Sequence, residues 1–139
     1  MNHQHTTSLN LKHLLEIIDS EDDLLELNLD SQGLEELPDS IKALKNLQVF
    51  SVYNNKLVNL PDSLWELTNL RTLNLSANRL RVIPESIGNL TATQMLDLGH
   101  NALVQVPDNL GNLDQLRYLY LSNNDLSSLP KTLENLNLL

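Results

Sequence analysis

Histidines carry most of the chain's capacity to bind a metal ion or to act as an acid or base near neutral pH. The chain has four of them and no cysteine, so a thiolate nucleophile and a cysteine-ligated zinc are both excluded. His3 and His5 could hold a metal ion together, but they lie at the N-terminus, where we expect a flexible segment. His13 falls at a predicted surface position. The sequence therefore predicts no metal site and no cofactor.

His100 is the histidine that lies nearest to residues able to assist catalysis. Asp97 is close in sequence, and a Ser-His-Asp arrangement would need Ser76 or Ser122 to reach the imidazole. No glycine-rich element accompanies these residues to supply an oxyanion hole. We therefore predict no catalytic residues and no enzyme activity.

The net charge of −9 is concentrated at one end of the chain. Residues 1–39 contain ten acids and one base, Lys12, whereas residues 40–139 contain eight acids and eight bases. Nucleic acid is not expected as a main partner, because phosphate binding needs a basic surface. The acidic end can serve solubility, or it can be an electrostatic docking surface for a basic partner. No apolar run approaches the roughly 20 residues of a membrane-spanning helix, so we expect no membrane insertion.

Proline spacing shows that the chain is built from repeats. Leucine occurs 35 times among 139 residues and recurs in register with the prolines. The five prolines are 23 residues apart: Pro38, Pro61, Pro84, Pro107 and Pro130. In each unit a short apolar–polar alternation, such as Leu73-Asn74-Leu75, predicts a half-buried strand. The segment after each proline has the helical period and room for about two turns. Stacked units would form a parallel sheet on the inside of an arc and short helices on the outside.

A polar residue follows each predicted strand at a fixed offset. A buried amide must be hydrogen-bonded, and because it has two donor hydrogens and an acceptor oxygen, stacked copies can bridge the turns of successive units. We predict a structural ladder formed by Asn55, Asn78, Asn101 and Asn124. Gln32 takes the equivalent position in the first unit.

These repeats resemble the leucine-rich repeat family. The pattern LxxLxLxxNxLxxLPxxLxxL is matched from about Leu24 to the C-terminus. The 23-residue form with Leu-Pro is similar to the Ras-suppressor-type class and to bacterial intracellular members of the family. The resemblance implies an α/β fold, a right-handed solenoid with a horseshoe arc. It also implies a non-catalytic module for protein–protein interaction, as in signalling scaffolds.

We expect the whole chain, 1–139, to form one domain with distinct ends. It is predicted to comprise a flexible N-terminus at 1–8, a capping helix at 9–23, five repeat units at 24–128 and a partial sixth repeat at 129–139. Leu14 and Ile18 indicate the capping helix by their spacing. At the other end the fifth strand has an unpaired edge. The chain is then a fragment, or forms a homodimer through this C-terminal edge, or folds residues 131–139 over it.

The outward-facing positions of the strands are the predicted binding surface. All three tyrosines fall on them, and tyrosine suits protein interfaces because it combines a large contact area with a polar tip. The predicted ligand-binding residues are Tyr53, Thr72, Asn74, Met95, Asp97, Tyr118 and Tyr120. As an alternative, Tyr118 and Met95 only cover one another on the sheet.

Two further columns of equivalent residues are expected at the surface. One lies just beyond the strands and comprises Asp30, Tyr53, Ser76, Gly99 and Ser122. The other lies on the helical side and comprises Lys42, Trp65, Gly88, Gly111 and Glu134. Because the second column contains such different residues, we expect it to be exposed. Trp65 then either packs against neighbouring side chains or marks a minor contact.

The sequence thus predicts a chain that binds a protein or peptide on its concave sheet. One alternative is the recognition part of a larger signalling enzyme, such as a kinase or ubiquitin ligase. Another is a secreted bacterial effector or adhesin. The N-terminus lacks the basic and apolar regions of a standard secretory signal, and cysteine-rich caps are absent. We therefore expect a cytoplasmic location, with export as a bacterial effector as the alternative.

The acidic end predicts a salt-dependent stability. The ten acids in residues 1–39 repel one another, with Lys12 as the single base among them, and dissolved salt screens this repulsion. We expect the melting temperature to rise modestly between low and moderate salt concentration, as measured by circular dichroism. A flat or falling melting temperature would contradict this prediction.

Overall fold

The computed structural model describes residues 12–19 and 23–139. Within these residues, five strands form one parallel sheet in chain order. They are β1 (Glu26–Asn28), β2 (Val49–Ser51), β3 (Thr72–Asn74), β4 (Met95–Asp97) and β5 (Tyr118–Tyr120). Each strand therefore pairs with the strand of the next repeat, and the predicted parallel solenoid is confirmed.

The constant repeat length sets the register of the sheet. Leu27 pairs with Phe50, and Phe50 pairs with Leu73, so residues 23 apart lie side by side. The middle residue of β2, β3 and β4 is fully buried, and its two neighbours are less buried. This alternation places one row of apolar side chains in the core and two rows on the open face of the sheet.

The helical segments are shorter and tighter than the two turns predicted from sequence. Each proline is followed by a five-residue 3-10 helix: Asp39–Ala43, Asp62–Glu66, Glu85–Asn89, Asp108–Asn112 and Lys131–Asn135. At the end of the second helix, for example, the N–H of Leu67 donates to the carbonyl of Leu64 at 3.2 Å. An α-helix is about 10 Å wide with its side chains, whereas strands are spaced about 4.8 Å apart. The narrower 3-10 helix lets repeat units stack with less curvature.

Stacked leucines fill the space between the sheet and the helices. Leu64, Leu67 and Leu70 of one unit are all fully buried, as are Leu73 and Leu75 of the strand segment that follows. The same arrangement recurs in the adjacent units, so the core is one continuous apolar cluster rather than five separate ones.

The ladder asparagines connect each unit to the unit before it. The Nδ2 of Asn78 donates to Val52 O at 3.0 Å in the preceding unit and to Leu75 O at 3.1 Å in its own. Its Oδ1 accepts the N–H of Leu57 at 3.0 Å. Equivalent bonds form at the other three asparagines, Asn55, Asn101 and Asn124. Each amide thus satisfies backbone groups in two successive turns.

At the N-terminal end a helical segment packs onto the core. Residues 12–19 are helical, and Leu14 and Ile18 are buried in the apolar cluster, whereas Leu15 is exposed. Residues 9–11 and 20–22 of the predicted capping helix, and the predicted flexible segment 1–8, lie outside the described residues.

The opposite end of the core is open to solvent. Leu119 and Leu121 are only partly buried, whereas Leu96 at the equivalent place in the preceding unit is fully buried. Leu138 and Leu139 are exposed. Pairing of two copies through this edge stays a prediction.

The expectation that the helix-side column is exposed was wrong for three of its members. Trp65 is 2% exposed and belongs to the core cluster. Gly88 and Gly111 are also buried, and a Cβ on Gly111 would lie 2.6 Å from the Cβ of Thr132 in the next helix. The column therefore lies between neighbouring helices. Glycine lets two helices approach closely, and Trp65 fills the corresponding space one unit earlier. Lys42 and Glu134 are exposed, as expected.

One residue in every turn has a left-handed backbone conformation. It directly precedes the ladder position, and its φ lies between 53° and 59° in Ser31, Asn54, Ala77, His100 and Asn123. Asparagine tolerates this conformation better than alanine does, because its short polar side chain can hydrogen-bond to nearby groups. Alanine is therefore the poorest match in the column.

Replacing Ala77 with asparagine should stabilise the fold. Asn54 and Asn123 already adopt the same conformation at the equivalent places. We expect Ala77→Asn to raise the free energy of unfolding by about 0.5–1 kcal/mol in urea denaturation. Ala102→Asn, at a residue without positive φ, is the matched control and should give no gain. An equal effect in the two variants would contradict the assignment of strain to Ala77.

Candidate interaction surface

Six of the seven predicted ligand-binding residues lie in two adjacent columns across the sheet. One column runs Thr72, Met95, Tyr118, and the other runs Asn74, Asp97, Tyr120. Neighbouring strands are about 4.8 Å apart, so side chains in one column are in contact distance of each other. The sheet register thus brings these six residues together on one face. Tyr53 lies just beyond the end of β2.

The tyrosines are the most accessible apolar groups of this face. Tyr53 is 44% exposed, Tyr118 is 57% and Tyr120 is 49%. Met95 and Asp97, the first and last residues of β4, are half-buried. The three tyrosines are therefore more accessible than Met95 and Asp97 on the same face.

The third outward column is only partly at the surface. Tyr53 and Ser122 are exposed and Asp30 is half-buried, but Ser76 and Gly99 are buried. Ser76 is 4% exposed, and its hydroxyl donates to Asn74 Oδ1 at 2.6 Å. The expectation of a continuous exposed column was wrong at these two positions.

Several polar side chains of the face are held by hydrogen bonds to backbone N–H groups of the turns. Asn74 Oδ1 accepts the N–H of Ser76 at 3.0 Å, and Asp97 Oδ1 accepts the N–H of Gly99 at 3.0 Å. Asp30 Oδ1 accepts the N–H of Tyr53 at 2.9 Å from the next unit. These bonds restrict the rotamers of Asn74, Asp97 and Asp30, so this part of the face is rigid.

The residues considered for catalysis have other partners. The Nε2 of His100 lies 3.1 Å from the Nδ2 of Asn123, and the Ser76 hydroxyl bonds to Asn74. Asp97 bonds to the backbone of Gly99. Among the described residues, no group of three or more His, Cys, Asp or Glu is placed to hold a metal ion. His3 and His5 lie outside the described residues.

A groove along one flank of the sheet was missed by sequence reasoning. It lies where the chain enters the first strands, has a volume of about 460 Å³ and is lined by Asp23, Leu25, Asn46, Gln48 and Asn69. It is open, and its lining has no aromatic residue. These positions vary between units, so the repeat pattern gives no signal for them.

The fold and its ladder define a solenoid repeat protein, and the comparisons with known proteins give its family. The leucine-rich repeat sequence profile matches residues 23–80 and 68–126, which is most of the chain. The chain belongs to the leucine-rich repeat family. Members of this family generally mediate protein–protein interactions and typically are not enzymes.

Solved structures of other leucine-rich repeat proteins are similar to this chain. A leucine-rich repeat protein of Leptospira interrogans is 38% identical with a TM-score of 0.87, over 90% of this chain and 32% of that protein. A chain of the BIR3–SERK2 complex of Arabidopsis thaliana is 36% identical with a TM-score of 0.74, over 82% of this chain and 64% of that one. An internalin of Listeria monocytogenes, inlF, shares the fold at 24% identity and a TM-score of 0.76, over 85% of this chain and 33% of that one.

This chain therefore spans about a third of the Leptospira protein and less than two thirds of the Arabidopsis chain. A comparison with the curated proteins gives no match. No helix among the described residues is long and apolar enough to span a membrane.

Proposed function

We propose that the chain is a non-catalytic recognition module that binds a protein or peptide on its concave sheet. The binding residues are Tyr53, Thr72, Asn74, Met95, Asp97, Tyr118 and Tyr120. The observation that carries the proposal is that all three tyrosines of the chain stand exposed on this one face.

Exposed tyrosines on a rigid sheet are well suited to recognition. A tyrosine side chain has only two rotatable torsions, so burying it in an interface costs little conformational entropy for the area gained. Tyr118 and Tyr120 lie on either side of the half-buried Leu119 in one strand and so project to the same face. The hydrogen bonds that hold Asn74 and Asp97 further reduce the side-chain entropy lost on binding.

The competing explanation is that Tyr118 and Met95 merely cover each other. They are direct register partners, and strands favour aromatic residues for packing alone. Yet Tyr118 remains 57% exposed beside Met95, so more than half of the residue's surface stays accessible to a partner. This residual exposure favours a binding role.

The similarity to one chain of a complex supports a protein as the partner. The Arabidopsis structure is described as the BIR3–SERK2 complex. Since this chain spans only part of that chain and of the Leptospira protein, a role as the recognition part of a larger protein remains the second candidate function. The cytoplasmic location and the alternative of bacterial export both stay predictions, which fractionation of the native host or a secretion assay would distinguish.

Replacing the two tyrosines of β5, Tyr118 and Tyr120, should weaken partner binding strongly. The partner is first captured from the native host by affinity pull-down and identified by mass spectrometry, and its dissociation constant is then measured with purified proteins. We expect Tyr118→Ala with Tyr120→Ala to weaken binding by at least tenfold, because buried interface tyrosines commonly contribute more than 1 kcal/mol each.

A second double variant controls for a general loss of apolar surface. Val82 and Val104 are 70% and 58% exposed and lie outside the sheet. Val82→Ala with Val104→Ala should leave binding unchanged, and circular dichroism should show both double variants folded. If the tyrosine variant binds as tightly as the original chain, or the valine variant loses binding instead, the concave site is wrong.

A further inference from the structure

The concave face carries acidic side chains and no basic ones. Its three outward columns comprise the first and last residues of the strands and the second residue after each strand, from Glu26 at one end to Ser122 at the other. Within these columns the charged residues are Glu26, Asp30 and Asp97, and there is no lysine or arginine. The nine lysines and arginines of the chain lie outside these columns, and Arg71 and Arg117 directly precede β3 and β5.

Asp97 lies in the part of the face where the aromatic rings are. In the sheet register it is directly opposite Tyr120, and Tyr118 is opposite Met95 on the same side. Adjacent strands are about 4.8 Å apart, so the carboxylate lies within side-chain reach of both rings. A carboxylate beside two exposed tyrosines offers a cation an ion pair and a cation–π contact at the same time.

The carboxylate is held in place and keeps an oxygen for a ligand. Asp97 Oδ1 accepts the N–H of Gly99 at 3.0 Å, which fixes the side chain against its own turn. That bond occupies one oxygen and leaves Oδ2 for an incoming donor. The planar guanidinium of arginine can donate to this oxygen while it stacks on a tyrosine ring, which an ammonium group does less well.

We propose that the concave face binds an arginine-containing peptide segment, with one guanidinium seated on Asp97 between Tyr118 and Tyr120. This inference rests on the proposed function and specifies the chemistry of the partner. Charge complementarity supports it, because every charged residue of the three columns is an acid. An acidic segment would find no cationic side chain on these columns to pair with. A purely apolar segment would cover the Asp97 carboxylate without offering it a hydrogen-bond donor.

The test uses a defined nonapeptide with arginine at its third, fifth and seventh positions and glycine or serine elsewhere. A second peptide carries citrulline at the same three positions, because citrulline keeps the shape of arginine and lacks its charge. Binding to the full chain is followed by NMR chemical shifts of the Gly99 amide and the tyrosine rings at low salt. We expect saturable shifts with the arginine peptide and at least fivefold weaker binding with the citrulline peptide.

Asp97→Asn tests the assigned carboxylate without disturbing the fold. Asn74 makes the same bond to its own turn at the equivalent place in the preceding unit, so an asparagine at 97 should keep the bond to Gly99. We expect Asp97→Asn to weaken arginine-peptide binding about three- to tenfold. Asp114→Asn removes an exposed carboxylate outside the sheet and should change binding less than twofold.

Two results would overturn the proposal. One is equal affinity for the arginine and citrulline peptides, and the other is an equal effect of Asp97→Asn and Asp114→Asn. Either result, together with loss of native-partner binding in the double tyrosine variant, would leave the concave face as the binding site and reject only its preference for arginine. Retained native-partner binding in that tyrosine variant would reject the concave site itself.

Discussion

A ladder of asparagine amides, one in each of four successive repeats, holds this molecule together. Each ladder asparagine bonds to backbone groups of its own turn and of the turn before it, as Asn78 does with Leu75 O, Val52 O and Leu57 N–H. A turn that enters the core must satisfy its polar backbone groups, because a buried unpaired N–H or carbonyl costs about 1–3 kcal/mol. The leucine columns alone could not meet this need, since apolar side chains offer no donor or acceptor. The amide is therefore what allows the turns to pack against a leucine core.

The ladder also explains the strict repeat length and the binding surface. An asparagine can bond to the preceding turn only if the two turns are in register. An inserted residue would therefore break the ladder bonds on both sides of the unit that carries it. The same condition keeps the strands in register, with Thr72, Met95 and Tyr118 side by side. A flat array of side chains on a rigid sheet follows from that register, and recognition can then change through surface substitutions without altering the core.

The sequence predicted the features that recur in every repeat. It missed the type of the helices and the burial of a residue that differs from unit to unit. The period of the prolines was enough to predict the parallel sheet, its register and the columns on its open face, because equal spacing leaves a single way to stack the units. The 3-10 helices were missed because apolar spacing over five residues does not distinguish them from a short α-helix. The burial of Trp65 was missed because the same column contains Lys42 and Glu134, and such varied residues indicate a surface position. The structure shows that Trp65, Gly88 and Gly111 of this column are buried between neighbouring helices. The occupant of the concave face cannot be derived from periodicity, since its side chains differ from unit to unit.

The most direct test of the central role of the ladder compares two asparagines by urea denaturation. Asn78 is buried, and Asn69 is exposed, yet Asn69 also bonds to the preceding unit, from its Nδ2 to Lys45 O at 2.9 Å. We predict that Asn78→Ala lowers the free energy of unfolding by about 3 kcal/mol or more, because it leaves buried backbone groups unpaired. Asn69→Ala should cost less than about 1 kcal/mol, because water replaces its bond. Equal losses in the two variants would contradict the account, since an inter-unit bond would then stabilise the fold regardless of its burial.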